Sequence, residues 1–413
     1  MSMNKANNNT GDDGGLVAFV ERVSNPGKEH YSSAEAIGEM LKNTLTEDEH
    51  FYVFSPDETT SNKLSEVYEA SERAWNLPQE EWDLPEAASG RVVELLSENV
   101  LMAMMIGHVL NCEKAVFASY EAFLPIVTSQ IIQHCKFLTQ CDGVMHRPNY
   151  PALNILSTST CWRQDHNGYS HQSPALISTL LERPDGRTNC LFPVDDVAAA
   201  AAYDFMMSTE NVVNLTTFNK TMEPRWIDSH HAAFQLENGG ASIFEFASAK
   251  EEPDYVFTAA GDIPTREVLA AIKILQKDLP RVRIRFVGIA ALTYGAIGTS
   301  EKKLSQDTFY EYFTTNTPIV AAFHGYPNTL RTILANYADG ARLSVHGYED
   351  RGSTTTPFEM LALNGMSRYD FVLEIAEREG QSELVEKYQN IIDEARDYAG
   401  KFGTDLINVE NVV

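Results

Sequence analysis

The sequence predicts an α/β protein of two consecutive domains, each with a mainly parallel sheet flanked by helices. The chain has 413 residues, and single hydrophobic cores stop growing at roughly 250–300 residues. Short β-branched or aromatic runs alternate with helical patterns along most of its length. Alternation of this kind is typical of parallel strands joined by crossover helices.

The first predicted domain spans residues 46–248. Its predicted strands are FYVF, AVFAS, ALNILSTS, NCLFPV and VVNLTTF. The predicted helices between them include YEAFLPIVTSQIIQHCKFL and VAAAAAYDFMM. Asp195 and Asp196 directly precede the second helical pattern and are suited to cap it.

The second predicted domain spans residues 249–413, after the charged, proline-containing stretch SAKEEPD. Its predicted strands are YVFTAAGD, VRIRFVGIAAL, PIVAAFHGY and RLSVHGYE. The predicted helices include TREVLAAIKILQKDL and the final SELVEKYQNIIDEARDYAGKFG, which ends at a glycine. Asp262 and Pro264 are typical of a helix start, although a loop after a strand can also face a ligand.

Composition excludes several classes of function. The net charge of −26 disfavours binding to nucleic acid or to anionic membranes, and no apolar run approaches the roughly 20 residues that span a bilayer. The five cysteines form no CxxC pair, which favours reduced thiols in the cytoplasm over disulfides or a zinc site. GxSxG, HExxH, P-loop and GxGxxG motifs are absent, so we predict no metal site in this chain and none of the enzyme classes that these motifs label.

The densest set of polar groups lies in TCWRQDHNGYSHQSP, residues 160–174, which we call the polar loop. It follows a predicted buried strand, where ligands of open α/β sheets bind. Arg163 and His166 are suited to hold anionic oxygen. Gln164, Asn167 and His171 are suited to orient hydroxyl groups or to transfer protons. The sequence therefore predicts a site in the polar loop.

Glu98 begins the apolar helical pattern SENVLMAMMIGHVL. A glutamate in a first helical turn favours the helix dipole and needs no further role. Alternatively, partial desolvation beside an apolar helix raises the proton affinity of a carboxylate and suits it to protonate a ring nitrogen. The residues of this helix alone leave both interpretations open.

Six stretches, in order along residues 30–370, together resemble phosphoketolases: SPDETTSNKL, SYEAF, LNILSTSTCWRQDHNGYSHQSP, AGDIPT, FHGYP and HGYEDRGSTTTPFEM. Phosphoketolases depend on thiamine diphosphate and cleave xylulose 5-phosphate or fructose 6-phosphate with inorganic phosphate. The products are acetyl phosphate and a shorter aldose phosphate. The resemblance implies a transketolase-like pyrimidine-binding domain followed by a C-terminal domain.

The resemblance covers only the second and third of the three domains of that family. The family domain that binds the cofactor diphosphate and magnesium has no counterpart here, so residues 1–45 are expected to be a tail and the remnant of an interdomain linker. Thiamine diphosphate and Mg²⁺ are therefore both expected to need a partner chain. The resemblance also implies an oligomer whose sites lie at an interface between chains.

Two residues match family groups that contact the cofactor. Glu98 matches the glutamate that hydrogen-bonds the pyrimidine ring nitrogen and drives formation of the imino tautomer. Tyr120 in SYEAF resembles the aromatic residue that stacks on the pyrimidine, a geometry that suits a flat ring.

Further matches imply contacts with the sugar phosphate and inorganic phosphate. The residues that resemble phosphate-gripping groups are Ser61, Lys63, His166 and Lys220, with Arg163 beside them. Lys63 stands where an arginine is usual, which keeps the charge but loses the bidentate fork. Gln164, Asn167 and His171 resemble groups that hold the sugar hydroxyls and assist the dehydration step, and His171 is the best candidate for proton transfer.

One stretch departs from the family pattern, since NVLMAMMIGHVLNCEKA replaces a polar, acidic helix start and a basic turn. Met102 stands in place of an acidic residue, and Glu113 with Lys114 occupies the place of an Arg-His pair. The polar network around Glu98 is therefore expected to differ.

Three hypotheses for function follow. The chain is half of a composite active site whose diphosphate domain comes from a partner, or a non-catalytic subunit that stabilises or regulates a full-length homologue. The third hypothesis is an unrelated sugar-phosphate binding protein that uses Lys63, Lys220 and Arg163 without a cofactor.

Overall fold

A computed structural model of the protein describes residues 23–56, 58–78, 80–81, 86–351 and 354–411. The elements up to the predicted domain boundary are β1 (His30–Ser32), α1 (Ser33–Glu47), β2 (Tyr52–Ser55), β3 (Arg73–Ala74), β4 (Glu86–Ala87), β5 (Val92–Glu94), α2 (Glu98–Leu110), β6 (Ala115–Tyr120), α3 (Thr128–Cys141), β7 (Leu153–Thr158), α4 (Ala175–Leu181), β8 (Thr188–Leu191), α5 (Asp196–Ser208), β9 (Val213–Thr217), β10 (Met222–Pro224), α6 (Ser229–Glu237) and β11 (Ala241–Ile243).

The elements after that boundary are β12 (Tyr255–Ala260), α7 (Asp262–Asp278), β13 (Ile284–Ile289), β14 (Ala291–Thr293), β15 (Ala296–Ile297), α8 (Gln306–Phe313), β16 (Ile319–Phe323), α9 (Pro327–Leu334), β17 (Leu343–His346), α10 (Pro357–Leu363), α11 (Arg368–Arg378) and α12 (Ser382–Phe402). Each strand run named from the sequence coincides with one of these strands, except that VRIRFVGIAAL divides into β13 and β14.

The larger sheet has the strand order β15-β14-β8-β9-β7-β6-β2-β5-β3-β4. From β8 to β4 every neighbouring pair is parallel, whereas β14 and β15 join antiparallel. Strands β7 and β9 are buried along their whole length, as expected for strands covered by helices on both faces. The predicted α/β class with mainly parallel sheets is confirmed.

A row of asparagines crosses the centre of this sheet. Asn154, Asn214 and Asn189 stand side by side on β7, β9 and β8. Asn214 Nδ2 donates to Asn154 Oδ1 at 2.8 Å, and Asn189 Nδ2 donates to Asn214 Oδ1 at 2.9 Å. Because buried amides are costly unless they are bonded, this row favours the observed strand register over a slipped one.

The smaller sheet has the order β11-β13-β12-β16-β17, in which only β11 runs antiparallel to its neighbour. The helix start predicted at Asp262 is confirmed, since α7 begins there. The glycine predicted to end the final helix is Gly403, which adopts the left-handed conformation with φ 68°.

The stretch predicted as one helix from Tyr120 to Leu138 is two elements. Residues Glu121–Val127 form a 3-10 helix that contains Pro125, and α3 begins at Thr128. Proline lacks the amide hydrogen that a continuous α-helix needs at that position, which explains the break. Of the two predicted caps of α5, Asp195 accepts from Ala198 N, whereas Asp196 lies inside the helix and pairs with Arg225.

The two sheets exchange strands across the predicted boundary at residue 248. Strand β11 precedes it but belongs to the smaller sheet, whereas β14 and β15 follow it but extend the larger sheet. Strand β1 and most of α1 lie within residues 1–45, and α1 packs against α5. The domain limits at 45 and 248 remain predictions.

No helix in the part of the chain that the structure describes combines the length and the apolar character needed to cross a membrane.

Candidate functional site

The carboxyl ends of five adjacent strands of the larger sheet, β5, β2, β6, β7 and β9, gather the polar groups of the candidate site. We call one set of them the open edge: Glu58, Ser61, Glu98, Tyr120 and Lys220. The Tyr120 hydroxyl donates to Ser61 Oγ at 3.0 Å, and Lys220 Nζ donates to the Ser61 backbone oxygen at 3.0 Å. Lys220 Nζ also lies 4.8 Å from the centre of the Tyr120 ring. An aromatic ring and a cation are thus held together where a ligand of an α/β sheet binds.

Two carboxylates lie near each other at this edge, and one of them is bonded to the Tyr120 backbone. Glu58 Oε2 accepts the Tyr120 amide at 2.9 Å, and Glu98 is the first residue of α2. Burial and the nearby charge of Glu98 raise the pKa of Glu58 to about 7, although the bond from Tyr120 opposes the shift. Glu58 can therefore hold or release a proton near neutral pH.

His171 is placed against the aromatic wall of the site. Tyr120 and Phe123 stack with 6.0 Å between ring centres. The His171 ring lies edge-on to both, 5.2 Å from Phe123 and 6.3 Å from Tyr120. Its Nδ1 is 2.9 Å from Ser170 Oγ, which leaves the opposite ring nitrogen as the one directed to a ligand or to solvent.

The rest of the polar loop is folded around Gln164. Its backbone oxygen accepts from Gly168 N at 3.1 Å and from Gln172 Nε2 at 3.0 Å. Gly168 has φ 70°, a conformation that favours glycine. Gln164 is buried, and its Nε2 has no partner among the described residues, whereas His166 and Asn167 are exposed at the turn. An unpaired buried donor is a group that a ligand oxygen could satisfy.

Two predicted phosphate-binding residues are engaged with carboxylates instead of standing free. Arg163 Nη1 donates to Thr221 Oγ1 at 3.2 Å and to Glu223 Oε1 at 3.5 Å. Lys63 Nζ donates to Glu35 Oε1 at 3.0 Å. The open edge therefore gathers Glu98, Tyr120, Ser61 and Lys220 from the predicted set, whereas Lys63 turns toward α1.

A second group of charges lies behind the open edge, and we call it the buried junction: Glu121, Asp262 and His324. Glu121 Oε1 is 2.8 Å from His324 Nε2, and both residues are at most 2% exposed. Glu121 Oε2 accepts the Cys161 amide at 2.7 Å. Asp262 Oδ2 accepts the Asn219 amide at 2.8 Å. The junction connects β6 and the polar loop to the ends of β12 and β16.

The described residues fit one part of thiamine diphosphate and not the other. A carboxylate pair and an aromatic face at the open edge suit an aminopyrimidine ring. Among the described residues, the group that could hold a metal ion is Glu121, Cys161 and His324, and its thiol and imidazole do not suit Mg²⁺, which prefers oxygen ligands. The 2.8 Å contact of Glu121 with His324 is a hydrogen-bonded pair. We therefore place no magnesium at these three residues.

Glu58, Glu121 and His324 are functional candidates that the sequence analysis did not single out. Each lies in a stretch that carries the family resemblance, SPDETTSNKL, SYEAF and FHGYP respectively. The family resemblance of these stretches could have indicated the three residues. Their contacts could not be predicted, because they join positions that are distant in the sequence. Roles for the predicted site residues remain proposals.

Models of one protein family match nearly the whole chain. The model of D-xylulose 5-phosphate/D-fructose 6-phosphate phosphoketolase matches residues 35–209, and the model of its C-terminal domain matches residues 220–413. A probable phosphoketolase from Rhodopseudomonas palustris is 34% identical over 403 residues, 95% of this chain and 51% of that protein. One from Brucella abortus is 33% identical over 404 residues, with the same coverage. The chain spans about half the length of the curated relatives it matches.

Solved structures with low sequence identity share the fold. Transketolase from Pichia stipitis, in complex with sedoheptulose 7-phosphate, matches with a TM-score of 0.65 at 13% identity, over 94% of this chain and 49% of that one. A structure described as a split gene transketolase, inactive β4 tetramer, matches with a TM-score of 0.56 at 16% identity, over 84% of this chain and 97% of that one. The fold is therefore transketolase-like, and the chain belongs to the D-xylulose 5-phosphate/D-fructose 6-phosphate phosphoketolase family.

Proposed function

We propose that this chain supplies the pyrimidine-binding half of a thiamine diphosphate-dependent phosphoketolase site. The complete site would cleave xylulose 5-phosphate or fructose 6-phosphate with inorganic phosphate to acetyl phosphate. A partner chain would provide the domain that binds the diphosphate and Mg²⁺. Family membership supports the reaction class.

The observation that carries this proposal is that Glu58 accepts the Tyr120 backbone amide at 2.9 Å and lies near the charge of Glu98. Bound thiamine diphosphate supplies a thiazolium that stabilises a carbanion. The chain's own part is to hold a proton at the pyrimidine ring. We assign that contact to Glu98 at the start of α2, with Glu58, whose pKa is raised to about 7, as a proton reservoir next to it.

The substrate groups are assigned to the loops around this edge. Lys220, with its ammonium between Ser61 and Tyr120, would hold a phosphate oxygen. His166 is exposed at the tip of the polar loop and would add a second contact to the anion. His171 would transfer the proton in the dehydration step, because its ring lies against the same aromatic wall as Tyr120.

The exposed face of α2 supports a partner chain at this edge. Leu96, just before the helix, is 83% exposed, and Val100 and Met104 are 47% and 45% exposed. Exposed apolar side chains at a spacing of four residues form one helix face, which is typical of a protein interface. Because the face begins beside Glu98, a chain docked there would close over the open edge. The split gene transketolase neighbour supports a division of such enzymes between chains.

The test is reconstitution with a chain that carries the diphosphate domain. The mixture should form acetyl phosphate from a ketose phosphate, whereas each chain alone should not. Glu98→Gln should lower the rate by at least about a hundredfold, since general acid and base groups contribute about 10²–10⁴ in rate. Glu383→Gln is the matched control, because Glu383 also lies in the first turn of a helix, α12, but away from the site.

Two results would overturn the proposal. Tight one-to-one binding of thiamine diphosphate and Mg²⁺ to the isolated chain would remove the need for a partner. Full activity of the Glu98→Gln mixture would mean that the partner contributes complete sites of its own.

A non-catalytic subunit is the second candidate, and the altered α2 favours it. Met102 stands where the family has an acidic residue and is fully buried against the core. In that case the mixture would be more stable than the partner alone, and its activity would be unchanged by Glu98→Gln.

A further inference from the structure

The buried junction is connected to the segments next to two residues of the open edge, Tyr120 and Lys220. Glu121 directly follows Tyr120, and its carboxylate accepts the Cys161 amide at 2.7 Å at the start of the polar loop. Asn219 directly precedes Lys220, and its amide donates to Asp262 Oδ2 at 2.8 Å. The Glu121 carboxylate therefore connects the segment of Tyr120 to the polar loop. The Asp262 carboxylate connects the start of α7 to the segment of Lys220.

His324 is bonded to Glu121 and lies near the charge of Asp262, and its Nδ1 is buried without a hydrogen-bond partner among the described residues. Its Nε2 is 2.8 Å from Glu121 Oε1. A Cβ added at Gly261, the residue before Asp262, would lie 3.3 Å from His324 Nδ1, so the start of α7 packs against the other side of the ring. His324 is also fixed through its backbone, which accepts the Trp162 indole N–H at 2.9 Å and donates to Ala260 at 2.9 Å.

We propose that His324 is a positioning residue whose protonated imidazole, bonded to the carboxylate of Glu121 and near the charge of Asp262, sets the distance between Tyr120 and Lys220. The inference rests on the proposed function only in that these two residues are taken to line the ligand site. His324 itself touches neither ligand nor cofactor and acts through the two carboxylates.

The charges around the ring support a protonated imidazole. The titratable groups that face it are Glu121 from the 3-10 helix after β6, Cys161 from the polar loop and Asp262 from α7. Burial opposes the charge of His324, but the charge and hydrogen bond of Glu121, with the charge of Asp262, raise its pKa overall. Burial and the charge of Glu223 raise the pKa of Asp262 to about 6.

The direction of the pH dependence follows from these groups. Above about pH 6, where Asp262 is ionised, the imidazolium compensates both buried carboxylates until the pH reaches the raised pKa of His324. When the pH rises through the raised pKa of His324, the carboxylates lose that compensation and repel each other. The order of the polar loop should therefore be complete below the ordinary histidine pKa of about 6.5 and decrease as the pH rises past the folded-state value.

The first test uses the unmodified chain labelled uniformly with ¹⁵N and follows imidazole and amide resonances from pH 5 to pH 9. We expect His324 to titrate above the ordinary pKa of about 6.5. The amide resonances of Cys161 and Asn219 should shift with the same midpoint. A His324 that is neutral throughout this range, or amides that do not respond to it, would overturn the proposal.

The second test compares His324→Gln with His134→Gln by hydrogen exchange and mass spectrometry. Glutamine retains a donor for Glu121 but cannot carry the charge. Exchange in the peptides that contain Cys161 and Asn219 should become at least about tenfold faster, which corresponds to a loss of about 1.4 kcal/mol. His134 is a matched control because it is also buried, its ring nitrogens have no partner among the described residues, and its pKa is lowered to about 4 by burial.

Unchanged exchange in His324→Gln contradicts the proposal, and so does an equal increase in every peptide, which would mean a general loss of stability. If His324→Gln does not fold, the NMR titration of His324 in the unmodified chain still tests the proposal. Neither measurement needs a cofactor or a partner chain, so a failed reconstitution and a failed positioning role are distinguishable.

Discussion

The open edge and the buried junction use the same residue types in opposite ways, although they meet at the bond between Tyr120 and Glu121. At the open edge, Glu58 and Glu98 lie near each other, no cation among the described residues forms an ion pair with either, and they share the partly exposed surface with Lys220. At the junction, every carboxylate is buried and hydrogen-bonded. Carboxylates without a closely paired cation leave charge for a ligand, whereas carboxylates that are buried and hydrogen-bonded fix geometry.

The largest effect is expected from breaking the junction. Glu121→Ala leaves the buried His324 imidazole without its partner and the Cys161 amide without its acceptor. Loss of one member of a buried ion pair costs about 3–5 kcal/mol. Urea unfolding followed by circular dichroism measures the free energy of unfolding.

The control for this variant is Glu113→Ala, which removes a glutamate paired with a histidine near the surface, 3.1 Å from His108 Nδ1. That change should cost less than about 1 kcal/mol. Equal losses in the two variants would mean that the junction is no different from a surface pair.

An intermediate effect is expected at Glu58, whose pKa is raised from 4.5 to about 7 in the folded chain. Between these values the folded state binds more protons than the unfolded state, so the free energy of unfolding should fall as the pH rises. Solvent screening reduces the expected decrease to about 2 kcal/mol. Glu58→Gln should flatten this part of the stability curve, and Glu383→Gln should leave it as it is. A wild-type curve that rises between pH 4.5 and 7 would exclude the raised pKa.

The smallest effect on stability is expected at Lys220. Lys220→Met removes one hydrogen bond to Ser61 and a contact with the Tyr120 ring, which together contribute less than about 1 kcal/mol. In the reconstituted complex the same change should raise the apparent KM for phosphate about tenfold, because a charged hydrogen bond to the ligand is lost. Substantial unfolding of this variant would show that Lys220 stabilises the fold rather than a ligand.

The elements of the fold followed from local patterns, whereas their partners did not. Continuous apolar runs around Ile155 and Leu215 predicted strands β7 and β9, because a strand that is buried on both faces is apolar at successive positions. The antiparallel addition of β14 to β8 could not be predicted in this way. A short buried strand has the same composition whichever sheet it joins, so pairing depends on the whole topology.

The candidate site was predicted only in part, because local patterns indicate some of its residues but not their distant partners. The polar loop was identified because many polar groups follow one strand, and Gly168 turns there as expected. The pairing of Glu121 with His324 joins positions 203 residues apart. Nothing near either residue in the sequence indicates the other, and only the juxtaposition of β6 and β16 brings them together. The engagement of Lys63 with Glu35 was missed for a similar reason, since it depends on where α1 packs.

The strand exchange between the sheets has a consequence for how this chain can be cut or recombined. A fragment that ends at residue 248 would contain β11 without its neighbour β13. It would also contain β8 without its neighbour β14. Both pieces would then present unpaired strand edges, which are templates for aggregation. The two sheets are therefore expected to be inherited, expressed and transplanted as one unit, so a chimera with another member of the family should be joined before β1 rather than between the halves.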